Sequence, residues 1–174
     1  MLTLFLLRHA KSSWSDAGMA DFDRPLASRG VKAAPKIGSY MAEAGFAPDL
    51  ILCSSAQRAR ETLALVLPFL KEEPTIRITR AIYEADGEED LLAVLAELAP
   101  DESARVMLIG HNPAMQDLAV ALAGAGAPDD RAALAQKYPT AGLAVLTFDG
   151  ADGWAGLAPG AGLLTHFVRP RELE

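Results

Sequence analysis

Two histidines and two arginines each follow a short apolar run of the sequence, and residues of these types suit phosphate chemistry. A guanidinium group is a planar fork that matches phosphate oxygens and stays charged. A neutral imidazole is a competent nucleophile toward phosphorus, and a neighbouring arginine disfavours its protonation. A set combining the two predicts phosphoryl transfer. In chain order, the four residues are Arg8, His9, Arg58 and His111.

Each member of this set also has a structural interpretation when taken alone. A histidine at a strand end is more often a satisfied structural group than a catalytic one. Arg58 falls in the first turn of a predicted helix, where a cation opposes the helix dipole, which is a mild sign of a nearby anion. Glu84 follows the third apolar run, and it is either a general acid or a solvated loop carboxylate. His166 alternates within a strand-like tail and is interpreted as structural.

The elements that must position these residues alternate along the chain. Apolar runs typical of buried strands are separated by helical stripes, which predicts an α/β fold with a mainly parallel sheet and helices on both faces. Ligands of such sheets bind at the carboxyl ends of the strands, where the candidate residues lie. The predicted strands are Leu2–Leu7, Leu50–Cys53, one within Thr75–Tyr83, Val106–Ile109, and a pair in the tail over Ala141–Phe148 and Gly162–Val168.

Two helices carry features of their own. Pro35 lies inside the helical stripe that ends near Gly45 and weakens the prediction of an unbroken helix there. Asp86 is predicted to be the N-cap of the helix that begins directly after it, and Glu89, three residues later, is predicted to complete a capping box.

Composition excludes several classes of protein. The 174 residues suit a single domain over 1–174, and 51% of them are apolar, enough for a core. The net charge of −7 argues against a nucleic-acid partner. Cys53 is the single cysteine, so neither an intramolecular disulfide nor a CxxC metal site is possible, and we expect no metal and no cofactor. The apolar start is too short for a signal peptide or a membrane span, so we expect a cytoplasmic protein that does not bind membranes.

Four motifs together resemble the histidine phosphatase superfamily, and within it the compact SixA-type phosphohistidine phosphatases. They are LLRHAKSSW at 6–14, DRPLASRG at 23–30, SSAQRARET at 54–62 and GHNP at 110–113. The resemblance implies the phosphoglycerate-mutase-like, three-layer fold without a lid insertion. It also implies that His9 is the transiently phosphorylated nucleophile, that Arg8 and Arg58 bind the phosphoryl oxygens, and that His111 stabilises the transferring group.

The resemblance also assigns roles to two further positions. Members of the superfamily often use an acidic residue to protonate the leaving group, and Glu84 is the candidate for that role here. Larger members have a phosphate-binding asparagine six residues beyond the nucleophile. Ser15 occupies that position in this chain, and its hydroxyl can still donate a hydrogen bond to phosphate.

Spacing bears on the substrate. His111 lies 53 positions after Arg58, and two strands and a helix fill that interval, which leaves no room for the lid of sugar-phosphate mutases. An open site favours phosphohistidine on a protein, such as a phosphotransfer domain or a phosphotransferase-system protein, and not an enclosed small molecule. Two alternatives stay open: a broad phosphomonoesterase acting on small metabolites, and a non-catalytic phosphohistidine-binding module.

Overall fold

The computed structural model describes residues 1–173, so Glu174, the last residue of the predicted domain, lies outside the described residues. Within that range, seven strands form one sheet in the order β3-β2-β4-β1-β6-β7-β5. The strands are β1 (Leu2–Arg8), β2 (Leu50–Ser54), β3 (Thr75–Thr79), β4 (Arg105–Gly110), β5 (Ala123–Gly126), β6 (Leu143–Phe148) and β7 (Gly162–Val168).

Helices connect these strands and cover the sheet. No helix within residues 1–173 combines the length and the apolar character needed to cross a bilayer. The helices are α1 (Ser28–Ala44), α2 (Gln57–Val66), α3 (Arg80–Tyr83), α4 (Glu88–Leu98), α5 (Ala114–Leu122) and α6 (Pro128–Gln136), with short 3-10 turns at Asp21–Asp23, Leu67–Phe69, Trp154–Gly156 and Pro170–Glu172.

The strand directions confirm the mainly parallel α/β sheet. Strand β1 pairs in parallel with β4, and β2 pairs in parallel with both β4 and β3. On its other side β1 pairs antiparallel with β6, which in turn pairs antiparallel with β7. The carboxyl ends of β1, β2 and β4 therefore meet at one edge of the sheet, because those three strands run in the same direction.

The side chains of β1 explain why helices must cover both faces. Leu4 and Leu6 pack in the apolar cluster formed with α4 and α5. Phe5 and Leu7 point to the opposite face and pack in the cluster formed with α1 and α2. All four are buried, and successive residues of a strand alternate between its faces. The continuous apolar run at the start of the chain is thus the central strand of a three-layer structure.

Two local predictions differ from the structure, and a third, the strand within Thr75–Tyr83, is confirmed and has its end defined. Helix α1 continues through Pro35 without interruption. The run Thr75–Tyr83 divides into β3 and the single turn α3, because Thr79 caps that turn by accepting a hydrogen bond from the Ala81 amide, 3.1 Å away.

The predicted capping box of α4 is also wrong. The N-cap is Gly87, and the carboxylate that accepts the free amides is Asp90 and not Glu89. Asp90 Oδ2 lies 2.8 Å from the Asp86 amide and 3.4 Å from that of Gly87. The helix therefore begins one residue later than the sequence pattern indicates.

Tyr138 ties the central strands to the edge where the candidate residues lie. Its fully buried hydroxyl accepts a hydrogen bond from the Ala144 amide of β6 at 3.1 Å and donates one to the Leu6 carbonyl of β1. Its own carbonyl accepts a hydrogen bond from the Arg8 guanidinium at 2.7 Å. One residue thus links two strands and orients a candidate side chain.

We expect Tyr138→Phe to destabilise the protein by about 1–3 kcal/mol, because it leaves two buried backbone groups without a partner. The free energy of unfolding, measured by urea denaturation, tests this. Tyr40→Phe is the control, since the Tyr40 hydroxyl has no hydrogen-bond partner within the described residues. Equal stability of the two variants would contradict the bridging role of the Tyr138 hydroxyl.

Candidate active site

The carboxyl ends of β1, β2 and β4 bring the four predicted residues into one cluster. His9 directly follows β1, and its amide donates a hydrogen bond to the Gly110 carbonyl at the end of β4, 3.0 Å away. The ring centroids of His9 and His111 are 5.1 Å apart. Arg58 lies in the first turn of α2, and its charge together with that of Arg8 influences both histidines. The geometry unites residues that are up to 103 positions apart in the chain.

His9 is buried and held in one tautomer. Its Nδ1 lies 2.7 Å from the Ala10 carbonyl oxygen. A carbonyl can only accept, so Nδ1 carries the proton and Nε2 keeps its lone pair. Burial lowers the pKa of His9 to about 3, and the positive charges of Arg58 and Arg8 act in the same direction. The side chain is therefore a neutral imidazole at pH 7 with Nε2 as its nucleophilic atom.

His111 is the second neutral imidazole of the cluster. Burial, followed by the charge of Arg58, lowers its pKa to about 4. Its Nε2 lies 2.7 Å from Ser54 Oγ, which also accepts a hydrogen bond from the Ala56 amide at 3.2 Å. When Ser54 donates its hydroxyl proton to Nε2, the neutral ring carries its own proton on Nδ1. His111 can then serve as a hydrogen-bond donor without being charged.

The backbone around Arg8 and His9 is held by the segment before β6. The Ala141 amide lies 3.0 Å from the carbonyl oxygens of both Arg8 and His9. Ala141 has a φ of 58°, a left-handed conformation that costs a non-glycine residue free energy and that occurs most often at functional sites.

Burial lowers the pKa of Arg8, but an arginine remains charged at neutral pH. The positive charge beside His9 is therefore permanent.

Asp21 anchors the second arginine. Its backbone oxygen accepts a hydrogen bond from Arg58 NH1 at 2.7 Å, and its Oδ2 lies 3.1 Å from Arg58 NH2. Tyr83 donates its hydroxyl proton to the same Oδ2 at 2.9 Å, and Arg24 Nε lies 3.1 Å from Oδ1. Partial burial raises the pKa of Asp21, but the Tyr83 hydrogen bond and the two arginines outweigh it, so the net pKa is lowered. Asp21 is an ionised carboxylate that fixes the orientation of Arg58.

The two remaining predicted residues lie on the surface. Glu84 follows α3, its side chain is 63% exposed, and its Oε1 forms an ion pair with Arg80 Nε at 2.8 Å. Ser15 is exposed, and its hydroxyl lies 2.9 Å from that of Ser13. Within residues 1–173, neither has a hydrogen bond or ion pair with the four clustered residues. Their predicted roles remain predictions.

Three donors in the cluster lack partners. Arg8 Nε, Arg58 Nε and His111 Nδ1 are buried and have no hydrogen-bond partner within the described residues. A buried donor without an acceptor costs free energy, so native structures rarely keep one without a reason. Three such donors in one cluster favour an anion as the group that the site receives.

Within residues 1–173, no group of three or more His, Cys, Asp or Glu side chains is arranged to hold a metal ion.

Sequence reasoning missed Asp21, Tyr138 and Ser54. Asp21 lies in a loop without periodicity, and its partner Arg58 is 37 positions away, so no local pattern could connect them. The contact between Arg8 and Tyr138 spans 130 positions. Of the three, Ser54 was the easiest to predict from the sequence. It comes directly after the apolar residues of β2, and a hydroxyl at a strand end lies at the same edge of the sheet as the histidines.

Comparison with known proteins gives one consistent family. The sequence profile of the histidine phosphatase superfamily (branch 1) matches residues 4–90. The uncharacterized protein MT1313 of Mycobacterium tuberculosis is 36% identical over 169 residues, which cover 95% of this chain and 100% of that protein.

Comparison with solved structures gives a consistent result. A proposed phosphohistidine phosphatase SixA from Agrobacterium tumefaciens superposes with a TM-score of 0.81 at 35% identity, covering 97% of this chain and 98% of that one. The protein histidine phosphatase SixA complexed with tungstate shares the fold, with a TM-score of 0.76 at 20% identity over 99% of this chain and 100% of that one.

The lowered pKa values make a spectroscopic prediction. We expect the ring nitrogen signals of His9 and His111 to stay unchanged between pH 8 and pH 5, because both imidazoles remain neutral well below the ordinary histidine pKa. Nitrogen NMR of histidine-labelled protein measures this, with His9→Gln and His111→Gln as assignment controls. A titration midpoint near 6.5 for either ring would contradict its burial in the neutral form.

The anchoring of Arg58 predicts a difference between two carboxylates. We expect Asp21→Asn to lower kcat/KM for an aryl phosphate about tenfold, because the charge that orients the Arg58 fork is lost. Glu84→Gln, which removes an exposed surface charge, is the matched control and should change the value less than about twofold. A larger loss in Glu84→Gln than in Asp21→Asn would contradict the anchoring role of Asp21.

Proposed function

This chain belongs to the histidine phosphatase superfamily (branch 1), which supports a phosphatase activity, and we propose that its substrate is phosphohistidine on a protein. The observation that carries the proposal is His9: a buried, neutral imidazole whose Nδ1 is hydrogen-bonded to the Ala10 carbonyl and whose Nε2 has no hydrogen-bond partner within residues 1–173. A phosphotransfer or phosphotransferase-system domain is the class of protein that presents such a group.

The reaction proceeds in two displacements at phosphorus. Nε2 of His9 attacks, a new P–N bond forms, and the P–N bond of the substrate breaks with its electron pair going to the departing imidazole. Water then attacks the phosphoryl group on His9. The second P–N bond breaks, inorganic phosphate leaves, and the imidazole of His9 is restored. The Ala10 carbonyl keeps the proton of His9 on Nδ1 throughout, so the same nitrogen serves each turnover.

Charge on the transferring group is offset by Arg8, Arg58 and His111. Donors that are already in place stabilise a charged transition state without reorganisation. Arg58 is held by Asp21 and Arg8 by the Tyr138 carbonyl, so neither fork has to be ordered when substrate arrives. His111 donates through Nδ1 when Ser54 protonates its Nε2. These groups supply the positive charge that the chemistry requires.

The state of the carboxylates favours phosphohistidine over a phosphate ester. An alkoxide leaving group needs a strong general acid, whereas the second ring nitrogen of phosphohistidine can take its proton from water. Asp21, the carboxylate nearest the arginines, is held ionised by Tyr83 and those arginines. Transfer from histidine to histidine also replaces one P–N bond by another, so the first step is close to balanced in free energy.

The spacing of the site residues supports a protein substrate. The interval between Arg58 and His111 is filled by the rest of α2, a 3-10 turn, β3, α3, α4 and β4 with short connections, which leaves no room for an inserted lid. Small phosphorylated metabolites gain specificity from enclosure, and a protein surface does not need it. The broad phosphomonoesterase is therefore the less favoured alternative.

We expect a covalent phosphoenzyme on His9. Brief incubation with a phosphohistidine peptide followed by denaturation in base should trap acid-labile, base-stable phosphate on the protein, located by mass spectrometry. His9→Ala should abolish both trapping and turnover. His166→Ala is the matched control. Within the described residues, the only hydrogen bond of the His166 ring is with its neighbour Thr165 on β7, so this variant should keep the labelling and turnover of the unmodified protein.

Three results would contradict the proposal. Undiminished labelling of His9→Ala would remove the nucleophile. A panel in which alkyl phosphates and sugar phosphates give higher kcat/KM than phosphohistidine peptides would favour the phosphomonoesterase instead. Tight binding of phosphohistidine peptides without any turnover would favour the non-catalytic binding module.

A further inference from the structure

A basic groove adjoins the active site and is not explained by the chemistry at His9. It is a cavity of about 810 Å³. Its lining comes from the end of β1, the start of α1, the end of α6 and the turn after β7. Arg8 lines the groove and directly precedes His9 in the chain, so the groove borders the active site at this residue, while His9, Arg58 and His111 are not among its described lining residues. The other cations that line the groove are Lys11, Arg29, Lys137, Arg169 and Arg171.

This concentration of positive charge is unusual for the molecule. The chain as a whole carries a net charge of −7, yet none of the residues described as lining the groove is Asp or Glu. Arg169 has an ion-pair partner, Glu172. Within residues 1–173, Lys11, Arg29 and Lys137 have no carboxylate within salt-bridge distance. Like charges placed together without partners repel each other, so a groove of this kind favours an anionic occupant.

The exposure of the cations indicates which kind of anion. Lys11, Arg29 and Lys137 are all solvent-exposed and stand on separate elements around the rim. A small polyanion is bound most tightly by buried, convergent donors that exclude water. Separate exposed charges instead complement the charged face of a macromolecule and act on its orientation and rate of encounter. The arrangement therefore fits acidic side chains of a protein.

We propose that the basic groove binds acidic residues that flank the phosphohistidine of the protein substrate, and so selects substrates by charge. This inference rests on the proposed function and adds a substrate class to it. Because the rest of the protein is acidic, an acidic partner is repelled except at the groove. The groove lies beside Arg8, so a partner seated there brings its phosphoryl group to His9.

The test uses two synthetic phosphohistidine peptides that differ only in their flanks, four glutamates in one and four glutamines in the other. We expect kcat/KM for the glutamate peptide to be about tenfold higher at low salt, and the difference to shrink as ionic strength rises. The double variant Arg29→Glu/Lys137→Glu should remove the preference. An aryl phosphate, which reaches only the active site, should be hydrolysed by that variant within about twofold of the unmodified rate.

The control is the double variant Lys71→Glu/Arg77→Glu, which changes the net charge equally at exposed positions in and next to the edge strand β3, three strands away from β1. It should keep the preference for the glutamate peptide. Loss of the preference in both variants would assign it to net charge and overturn the groove as its source. Equal hydrolysis of the two peptides by the unmodified protein would overturn the inference and leave the proposed function intact.

Three further outcomes are distinguishable. Hydrolysis of the aryl phosphate without hydrolysis of either peptide would overturn the proposed function, and this inference with it. A parallel loss of aryl phosphate hydrolysis in Arg29→Glu/Lys137→Glu would place those residues in the chemistry and not in docking. Strong competition by inorganic triphosphate, relieved in that variant and combined with equal peptide rates, would assign the groove to a small polyanion instead.

Discussion

The site depends on keeping an imidazole neutral next to permanent positive charge. Burial is the main reason that His9 and His111 lack a second proton, and the arginines add to it. The same condition links the site to stability. As the pH falls below about 6.5, the unfolded chain takes up protons at both histidines that the folded chain does not take up until about pH 3 and about pH 4. Folding therefore becomes less favourable on acidification through this window.

Both arginines of the site have a backbone carbonyl as a partner, and Arg58 also has a carboxylate. The Tyr138 carbonyl accepts a hydrogen bond from Arg8. The Asp21 carbonyl and the Asp21 carboxylate both accept hydrogen bonds from Arg58. A carbonyl orients a guanidinium without neutralising it, so the positive charge stays available for an anion. Asp21 is itself divided between Arg58, Arg24 and Tyr83. The full charge of one carboxylate is thus spread over two cations, and the cluster remains positive.

The sequence allowed the fold class and the core of the site to be predicted, for a common physical reason. Buried parallel strands are continuous apolar runs, and the polar residue after such a run must lie at the sheet edge, which placed Arg8, His9 and His111 correctly at one end. Arg58 was predicted at the same edge because it follows the second apolar run by a few residues, and the resemblance to a family then assigned it a role. Asp21 and Tyr138 could not be found in this way, because each acts through a contact between segments that no local period connects.

Glu84 is the candidate residue whose position depends most on where a strand ends. Placing it at the sheet edge requires a strand that runs to Tyr83, but β3 ends at Thr79 and a helical turn follows. That turn sets Arg80 and Glu84 four residues apart on one helical face, where opposite charges attract each other. The four-residue spacing of Arg80 and Glu84 can be read from the sequence. Whether the two side chains pair depends on where β3 ends and the helical turn begins, and the sequence pattern did not show that point.

The position of β1 in the middle of the sheet has a consequence for how this molecule can diverge. His9, the proposed nucleophile, follows a strand that is paired on both edges and packed on both faces, so its placement is inherited together with the core. The groove cations stand on exposed element ends, where substitutions cost little. Descendants of this chain can therefore exchange one partner for another by changing a few surface residues, while the reaction itself stays the same for as long as the chain still folds.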